Sequence, residues 1–252
     1  MISIENISFF YPGSSPIFQD FSWQVERGQA WAVLGPSGTG KTTLLYMLAG
    51  LQSPSAGTIA VAGQALSRPR PQTGLILQEY GLLPWATVRE NMTLGLQIRD
   101  FYGPDGRHAP AQAAAGDVGD WLERLGLAGH AAKYPVQLSG GQRQRTAIAR
   151  TLVLKPDLLL MDEPFSALDA PTRLGLEDLT LQLWQEQRFT FIIVTHTIEE
   201  AAYLGQNILV LGQPPHRAGK IFTNPVFGQP EARDMDEYRQ LCRMLRAELE
   251  NA

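Results

Sequence analysis

The feature that most constrains this chain is a glycine-rich octapeptide at residues 35–42, which reads GPSGTGKT. It follows an apolar run at residues 30–34, which favours a buried strand, and it leads into residues 41–49, where leucines recur at helical spacing. Glycines let consecutive backbone N–H groups turn inward around an anion, and a helix N-terminus adds partial positive charge. The segment therefore predicts a strand–loop–helix unit that binds phosphate.

The octapeptide matches the Walker A pattern at every fixed position and lies between a predicted strand and a predicted helix. We expect Lys41 to reach the outer phosphates of a nucleotide and Thr42 to hold Mg²⁺ through its hydroxyl. A glycine-rich turn with an unrelated lysine is the alternative, which the complete match disfavours. The cradle does not read the base, and we expect the upstream Tyr11 to stack on a purine ring. The predicted nucleotide-binding residues are Tyr11, Gly35, Pro36, Ser37, Gly38, Thr39, Gly40, Lys41, Thr42 and Thr43.

A second chemical element is the apolar run at residues 158–162, which ends in two acidic side chains. Asp162 is predicted to bind Mg²⁺, through water, at the carboxyl edge of a sheet. Glu163 is predicted to orient or deprotonate the water that attacks the γ-phosphate. The alternative is a strand that ends in a solvated acidic turn, but the phosphate loop in the same chain supplies the partners that these acids require.

Two further side chains follow predicted strands. His196 comes after residues 191–195 and is predicted to contact the γ-phosphate, although a histidine at a strand end can also be structural. Gln78 ends a predicted strand at residues 73–78 and is expected to bring a neutral amide to the metal or the water. The predicted catalytic residues are Glu163, His196 and Gln78, and the predicted Mg²⁺ ligands are Thr42, Gln78 and Asp162.

Composition excludes several classes of protein. With 21 basic and 25 acidic side chains in 252 residues, the chain has no basic field for nonspecific binding of nucleic acid. Its only cysteine, Cys242, cannot form an internal disulfide, which favours a cytosolic location. The N-terminus carries Glu5 and no signal-like segment, and apolar runs fall far short of the ~20 residues that span a bilayer. We expect any membrane contact to occur through a partner.

The pattern of elements predicts an α/β fold with a parallel-sheet core and an antiparallel β lobe near the N-terminus. Residues 102–119, rich in Gly, Ala and Pro, are predicted to be a surface loop. Residues 234–249 are predicted to form an amphipathic helix that packs on the core. The predicted strands are residues 2–11, 18–25, 30–34, 57–61, 73–78, 158–162 and 191–195, and the remaining predicted helices are residues 87–96, 118–125, 139–153, 172–187 and 198–204.

A second helix N-terminus with phosphate-binding character opens at residues 138–145, which read LSGGQRQR. By itself this segment could be an ordinary helix capped by Ser139. It is identical, however, to the signature motif of ATP-binding-cassette (ABC) ATPases. The other motifs of that family follow in their expected order: Tyr11 as A-loop aromatic, residues 35–42, Gln78 as Q-loop, Asp162 and Glu163, residues 166–169 as D-loop and His196 as switch. The sequence is therefore identified as a member of this family, and the resemblance covers nearly the whole chain.

The resemblance implies a P-loop NTPase cassette fold in which an α-helical lobe, residues 83–134, is inserted between core segments 1–82 and 135–222, with a helical tail at residues 223–252. It implies a head-to-tail dimer that encloses two MgATP. In that dimer Ser139, Gly140, Gly141 and Gln142 of one cassette contact the ATP held by the other. ATP binding would close the dimer and hydrolysis would reopen it, which would move attached transmembrane permease subunits.

Residues 78–88, 169–173 and 195–201 are similar to the cassettes of bacterial nitrate, sulfonate and taurine importers. This similarity implies an ATP-hydrolysing importer subunit on the cytoplasmic face of the cell membrane, and we expect its second cassette to be an identical copy. Its partners would be permease subunits and, indirectly, a solute-binding protein, with no nucleic acid. One alternative is an exporter cassette, against which only the importer-like residues 82–85 and 172–173 count. The other is a soluble ABC ATPase of nucleic-acid metabolism, which the single set of motifs and the lack of basic stretches or heptads disfavour. A P-loop kinase is disfavoured because a signature motif has no role in its chemistry.

Overall fold

The computed structural model describes residues 1–102, 117–229 and 231–251. The chain divides into two compact units. The first comprises Met1–Arg70, Leu160–Glu163 and Leu179–Ala252, and the second comprises Pro71–Leu159 and Pro164–Asp178. The helical lobe predicted at residues 83–134 lies within the second unit.

Strands and helices alternate along most of the described chain. The strands are β1 (Ile2–Phe9), β2 (Phe18–Val25), β3 (Ala30–Leu34), β4 (Ala56–Val61), β5 (Gln64–Ala65), β6 (Thr73–Ile76), β7 (Leu158–Asp162), β8 (Thr190–Thr195), β9 (Asn207–Val210) and β10 (Lys220–Thr223). The α-helices are α1 (Lys41–Leu48), α2 (Val88–Tyr102), α3 (Val118–Arg124), α4 (Gly140–Leu152), α5 (Ala170–Gln187), α6 (Ile198–Leu204) and α7 (Asp236–Asn251). Short 3-10 helices occur at Ala128–His130, Pro135–Gln137 and Ala232–Asp234.

The first unit contains an antiparallel sheet in the order β2-β1-β4-β5. In β1 the buried side chains are Ile2, Ile4, Ile7 and Phe9, and this alternation shifts by one residue in mid-strand because the pairing with β2 is irregular there. Gly57 in β4 has a φ of 81°, and a Cβ at this position would lie 2.4 Å from the Asn6 carbonyl oxygen. Only glycine allows β4 to approach β1 so closely at the irregular pairing around Asn6.

A second sheet in the first unit places the strand ends that carry the predicted site. β3 pairs in parallel with β8 on one side and with β9 on the other, and Leu34 stands opposite both Thr195 and Val210. The residues of β3, β7 and β8 are all buried, which explains their nearly continuous apolar sequences. Since parallel strands end at one edge, the residues that follow β3 and β8 emerge together there.

The second unit is mainly helical. Helix α2 is joined to the chain before α4 by backbone hydrogen bonds from Val88 N to Lys133 O and from Arg89 N to Ala131 O. Asn91 is fully buried; its side chain accepts from Leu83 N at 2.8 Å and donates to three backbone carbonyls of residues 83–87. The Asn91 side chain thus satisfies backbone groups of the turn before α2.

The structure confirms most predicted elements and corrects several boundaries. The strand predicted at residues 73–78 ends at Ile76, because Tyr80 and Gly81 take positive φ values of 64° and 60° in a turn. Helix α2 continues six residues beyond the predicted end at Leu96, to Tyr102. Of the loop predicted at residues 102–119, residues 103–116 lie outside the described residues, whereas Val118 begins α3 with Asp117 as its cap. Three short strands, β5, β9 and β10, were not predicted.

Candidate active site

The glycine-rich loop connects β3 to α1 in the first unit, and two of its glycines cannot be replaced without strain. Gly40 caps α1 with a φ of 95°, and a Cβ there would lie 2.3 Å from Ile17 Cγ2. A Cβ on Gly35 would lie 2.4 Å from the Leu211 carbonyl oxygen. These close approaches give a physical reason for glycine at the first and sixth positions of the octapeptide.

Lys41 is buried at the first position of α1. Its Nζ donates to the Gly35 carbonyl at 2.8 Å and to the Pro36 carbonyl at 2.7 Å. Burial lowers the pKa of Lys41, whereas the nearby charges of Glu163 and Asp162 raise it. The ammonium group thus lies inside the loop, on neutral oxygens that a phosphate can replace.

Thr42 and Asp162 meet although 120 residues separate them in sequence. The Thr42 hydroxyl donates to Asp162 Oδ1 at 3.0 Å. Burial raises the pKa of Asp162, the hydrogen bond from Thr42 opposes this rise, and the Glu163 charge adds to it. A hydroxyl and a carboxylate oxygen, both suited to a hard cation, therefore lie side by side at the start of α1.

Glu163 follows β7 in a left-handed conformation with a φ of 44°, which is uncommon for a residue with a side chain. Its N–H donates to the Val194 carbonyl of β8 at 2.9 Å. Its Oε2 lies 3.1 Å from Nδ1 of His196, the residue that follows β8. The side chain of Glu163 is 17% exposed and that of His196 is 49% exposed, so the pair faces solvent at the carboxyl edge of the sheet.

An open cleft of about 530 Å³ lies over the loop and brings most of the predicted nucleotide residues together. Tyr11 stands at one side, where its hydroxyl is 3.1 Å from Thr43 Oγ1 and its ring packs edge-on against Phe9. Sequence reasoning missed Ser14, Ser15 and Ile17, which lie between Tyr11 and β2; their position directly after the aromatic was the available signal. The cleft is lined by Tyr11, Ser14, Ser15, Ile17, Ser37, Gly38, Gly40, Lys41, Thr42, Thr43 and Glu163.

The predicted trans-acting residues lie in the second unit at the start of α4. Ser139 caps the helix: its hydroxyl accepts from Gln142 N at 3.3 Å, and Gln142 Oε1 accepts from Ser139 N at 3.0 Å. A Cβ on Gly140 would lie 2.9 Å from Leu168 Cδ2, and one on Gly141 would lie 2.5 Å from Thr172 Cγ2. The two glycines therefore allow the chain around residues 168–172 to pass close to the helix end.

Gln78 also lies in the second unit, exposed in the turn after β6. Arg150 of α4 donates to the Gly81 carbonyl at 2.7 Å and to the Tyr80 carbonyl at 3.1 Å. The Arg143 guanidinium lies 5.8 Å from the centre of the Tyr80 ring. Two arginines of α4 thus hold the end of the turn that begins at Gln78.

Comparison with known proteins identifies the family that shares this arrangement. Residues 18–166 match the family described as ABC transporter, and this match covers more than half of the chain. The chain belongs to the ABC transporter family. As predicted, it is the ATP-binding, ATP-hydrolysing cassette of that family.

Two curated relatives align over most of this cassette. It is 36% identical over 243 residues to the aliphatic sulfonates import ATP-binding protein SsuB of Bacillus cereus, an alignment that covers 95% of this chain and 92% of the relative. It is 41% identical over 215 residues to the taurine import ATP-binding protein TauB of Yersinia pestis, which covers 85% of this chain and 81% of the relative. The predicted similarity to this group of importer cassettes is confirmed.

A solved structure supports the fold of the cassette. It shows the dimeric ATP-binding cassette MJ0796 in a post-hydrolysis state bound to ADP and Pi. The TM-score is 0.72 with 25% identity, and the match covers 88% of this chain and 98% of that chain. The predicted P-loop cassette fold is therefore confirmed.

Within residues 1–102, 117–229 and 231–251, none of the helices combines the length and the apolar composition needed to span a bilayer.

Proposed function

We propose that this cassette hydrolyses MgATP to drive import of a small solute of the nitrate, sulfonate or taurine kind through partner permease subunits. The observation that carries the proposal is the cleft of the first unit, where Lys41, Thr42 and Glu163 line one space. The names of the relatives, which import sulfonates and taurine, support the importer and its solute class. The same names favour the importer over the two alternatives, an exporter cassette and a soluble ABC ATPase of nucleic-acid metabolism.

In this proposal the glycine-rich loop holds the phosphates of ATP, and Tyr11 stacks on the adenine. Lys41 transfers its hydrogen bonds from the carbonyls of Gly35 and Pro36 to phosphate oxygens. This exchange is favoured because a phosphate carries full charge where a carbonyl carries only a dipole. Pro36, Ser37, Gly38, Thr39 and Thr43 complete the loop contacts.

Glu163 is the proposed general base. Its carboxylate accepts a proton from, or orients, the water that attacks the γ-phosphate. The contact at 3.1 Å between His196 Nδ1 and Glu163 Oε2 restrains this carboxylate and leaves the other edge of the imidazole for the γ-phosphate. Gln78 is proposed to contribute its neutral amide to the water or the metal.

The residues at the start of α1 fit Mg²⁺, which prefers oxygen ligands and retains several waters. Thr42 and Asp162 supply a hydroxyl and a carboxylate 3.0 Å apart. Within the part of the chain that the structure describes, no three His, Cys, Asp or Glu side chains form a metal-binding group, so phosphate oxygens and water would complete the shell. When bound, Mg²⁺ neutralises charge that develops on the β- and γ-phosphate oxygens.

We further propose that two cassettes associate head to tail, with Ser139, Gly140, Gly141 and Gln142 of one closing over the ATP of the other. The dimeric state of the related cassette MJ0796 supports this arrangement. Residues 139 and 140 present a helix N-terminus, which favours a negatively charged ligand. The cassette would then lie on the inner face of the cell membrane, held by its permease partners, with a solute-binding protein as an indirect partner.

The test of this function compares Lys41→Ala with Lys220→Ala. Lys41→Ala should weaken MgATP binding roughly 10- to 100-fold, because a hydrogen-bonded charge on phosphate is lost. Lys220 is an exposed lysine of the same unit that pairs with Glu248, and its replacement should leave ATP binding and turnover unchanged. Titration calorimetry and phosphate release measure both variants, and circular dichroism confirms that each is folded.

For the importer itself, the cassette is co-purified with its cognate permease subunits and reconstituted in liposomes. With the cassette and ATP inside the liposome, taurine, a sulfonate or nitrate added outside should accumulate in the lumen, on the cassette side of the bilayer, and Lys41→Ala should abolish this uptake. Normal turnover by a folded Lys41→Ala protein would refute the site assignment. Solute movement toward the opposite side would refute the importer.

A further inference from the structure

The connection between β9 and β10, residues 211–219, contacts the glycine-rich loop at two points, and no sequence motif marks it. At its start, Leu211 N donates to Leu34 O at 2.8 Å, and the Leu211 carbonyl oxygen lies against Gly35. Further along, Nε2 of His216 lies 2.7 Å from the backbone carbonyl oxygen of Thr39. The loop that is proposed to hold phosphate therefore has a second segment of chain behind it.

His216 is fixed in this position by its surroundings. It is only 4% exposed, and its ring packs against Phe18 with a centroid distance of 5.4 Å. The backbone N–H of His216 donates to Ile17 O at 2.8 Å, and the backbone carbonyl of His216 accepts from Gln19 N at 2.9 Å. The backbone and the ring of His216 are thus both held by residues at the start of β2.

The proton on His216 can be placed from chemistry. A carbonyl oxygen only accepts hydrogen bonds, so Nε2 must carry the proton that points at Thr39. Burial lowers the pKa of His216, and the hydrogen bond to Thr39 opposes this effect. At neutral pH the side chain is therefore a neutral donor in the Nε2–H tautomer.

A donor on the Thr39 carbonyl controls the next amide in the loop. The peptide between Thr39 and Gly40 is planar and trans, so the carbonyl of Thr39 and the N–H of Gly40 point in opposite directions. Gly40 lines the cleft, and within the described residues its N–H has no hydrogen-bond partner. Holding the carbonyl toward His216 therefore holds this N–H ready for a phosphate oxygen.

We propose that His216 is a positioning residue for phosphate binding, which fixes the Thr39–Gly40 peptide so that the Gly40 N–H faces the nucleotide. The inference rests on the proposed role of residues 35–42 in binding ATP. Without the hydrogen bond, the peptide plane is free to rotate about the flexible Gly40, which has a φ of 95°, and the loop must be reordered when phosphate binds. The contact is present before and after the chemical step, so it should affect KM more than kcat.

The experiment compares His216→Leu, which removes the donor at similar volume, with His216→Gln, which retains an N–H donor. The control is Asn224→Leu in the same unit. Asn224 is 6% exposed and also donates to backbone carbonyls, those of Ala202 at 2.7 Å and Gly205 at 2.9 Å, far along the chain from the glycine-rich loop. His216→Leu and Asn224→Leu should both lower Tm, since the first leaves one buried carbonyl and the second leaves two without this donor.

Only His216→Leu should change nucleotide binding. We expect the Kd for MgADP, measured by calorimetry, and the KM for ATP to rise by the same factor, roughly three- to tenfold, with kcat nearly unchanged. His216→Gln should restore both to within about twofold of the native values. If His216→Leu binds MgADP as tightly as Asn224→Leu does, or if His216→Gln gives no rescue, His216 has a structural role alone and the proposal fails.

Two further measurements keep the outcomes distinct. Lys41→Ala is assayed in parallel. If Lys41→Ala also leaves MgADP binding intact, the proposed function has failed. If Lys41→Ala loses MgADP binding while His216→Leu binds MgADP normally, only the present inference is overturned. If His216→Leu does not fold, ¹⁵N NMR of histidine-labelled native protein decides. The proposal requires the Nε2–H tautomer at His216, and the Nδ1–H tautomer overturns it.

Discussion

At the scale of single residues, Asp162 combines a functional position with an energetic cost. Burial raises the pKa of this carboxyl, so its ionised form is disfavoured in the folded protein before a cation is bound. Replacing it with Asn keeps an acceptor for the Thr42 hydroxyl and removes the charge. A buried charge that destabilises the ligand-free protein and is neutralised when a ligand binds is typical of functional sites.

We therefore predict that Asp162→Asn raises the Tm of the nucleotide-free cassette and abolishes Mg²⁺-dependent hydrolysis. The pKa of the Asp162 carboxyl is higher in the folded protein than in the unfolded chain. Ionised Asp162 therefore destabilises the fold by its full amount at pH values above the folded pKa. This destabilisation shrinks as the pH falls toward the unfolded pKa and is absent below it. The difference in unfolding free energy between the two proteins should shrink over that same range. Urea unfolding at several pH values measures it.

The control for this prediction is Asp20→Asn, which changes an exposed aspartate of the same unit with a φ of 53°, a conformation that Asn tolerates. It should change neither Tm nor hydrolysis. An Asp162→Asn protein that is less stable than the native one at neutral pH would show that the carboxylate stabilises the empty site.

Sequence reasoning identified the chemical side chains but not their contacts. Lys41, Thr42 and Glu163 could be assigned because a phosphate loop and an acidic strand end have fixed local patterns. The hydrogen bond between Thr42 and Asp162 and the positive φ of Glu163 depend on strand order, which no local pattern specifies. The role proposed for His216 could not be predicted from the sequence, because its hydrogen-bond partner is a backbone carbonyl 177 residues away in the chain.

At the scale of elements, the turn before α2 separates the residues that support it from those it presents. Leu83 is tied to Asn91 in both directions, by hydrogen bonds of 2.8 Å and 3.1 Å. Ala86 and Val88 are buried, whereas Trp85 is 73% exposed. The apolar sequence from residue 82 to 88 therefore contains both buried anchors and exposed side chains, and Trp85 is a large apolar side chain on its surface.

This turn follows Gln78 directly, and we predict that it contacts a permease subunit. Single cysteines are placed at residues 82, 83, 84, 85 and 87 in a Cys242→Ser background, and crosslinks to the co-expressed permease are mapped with and without ATP. Trp85→Cys should crosslink most strongly and Leu83→Cys weakly, because the Leu83 backbone is held inward. ATP should change the yield, since Gln78 lies at the other end of the segment.

The matched control is a cysteine at Met244, an exposed residue of α7 in the other unit. Crosslinking at residue 244 with none at residue 85 would refute docking by the turn and leave its apolar residues a packing role alone.

Elements differ in how well the sequence predicted them. Helix α7 was predicted because Tyr238, Leu241, Leu245 and Leu249 recur on one face; the first three are buried and Leu249 is half-buried. Each such side chain stabilises the fold by about 1.5–3 kcal/mol. The strands β9 and β10 have four residues each, too few for a period to emerge, and they form because β3 offers an edge for β9 to pair with.

At the scale of the whole molecule, the proposed ATP site is completed by a second copy of the chain. The cleft of the first unit is lined by Lys41, Thr42 and the proposed base Glu163, whereas residues 139–142 lie in the second unit. In the proposed head-to-tail dimer these residues complete the site of the partner, so ATP becomes part of the interface. Removal of the base without loss of binding should therefore trap the dimer.

Glu163→Gln keeps the size of the side chain and a hydrogen-bonding amide but loses the proton acceptor, which should slow hydrolysis by about a hundredfold or more. The most direct test of the account is the mass of this variant in solution, determined by light scattering after size exclusion, with and without MgATP. We predict a monomer without nucleotide and twice that mass with MgATP, and a monomer in both conditions when Lys41→Ala is added. A Glu163→Gln protein that stays monomeric at saturating MgATP, or that consumes the ATP at the native rate during the run, would contradict the account.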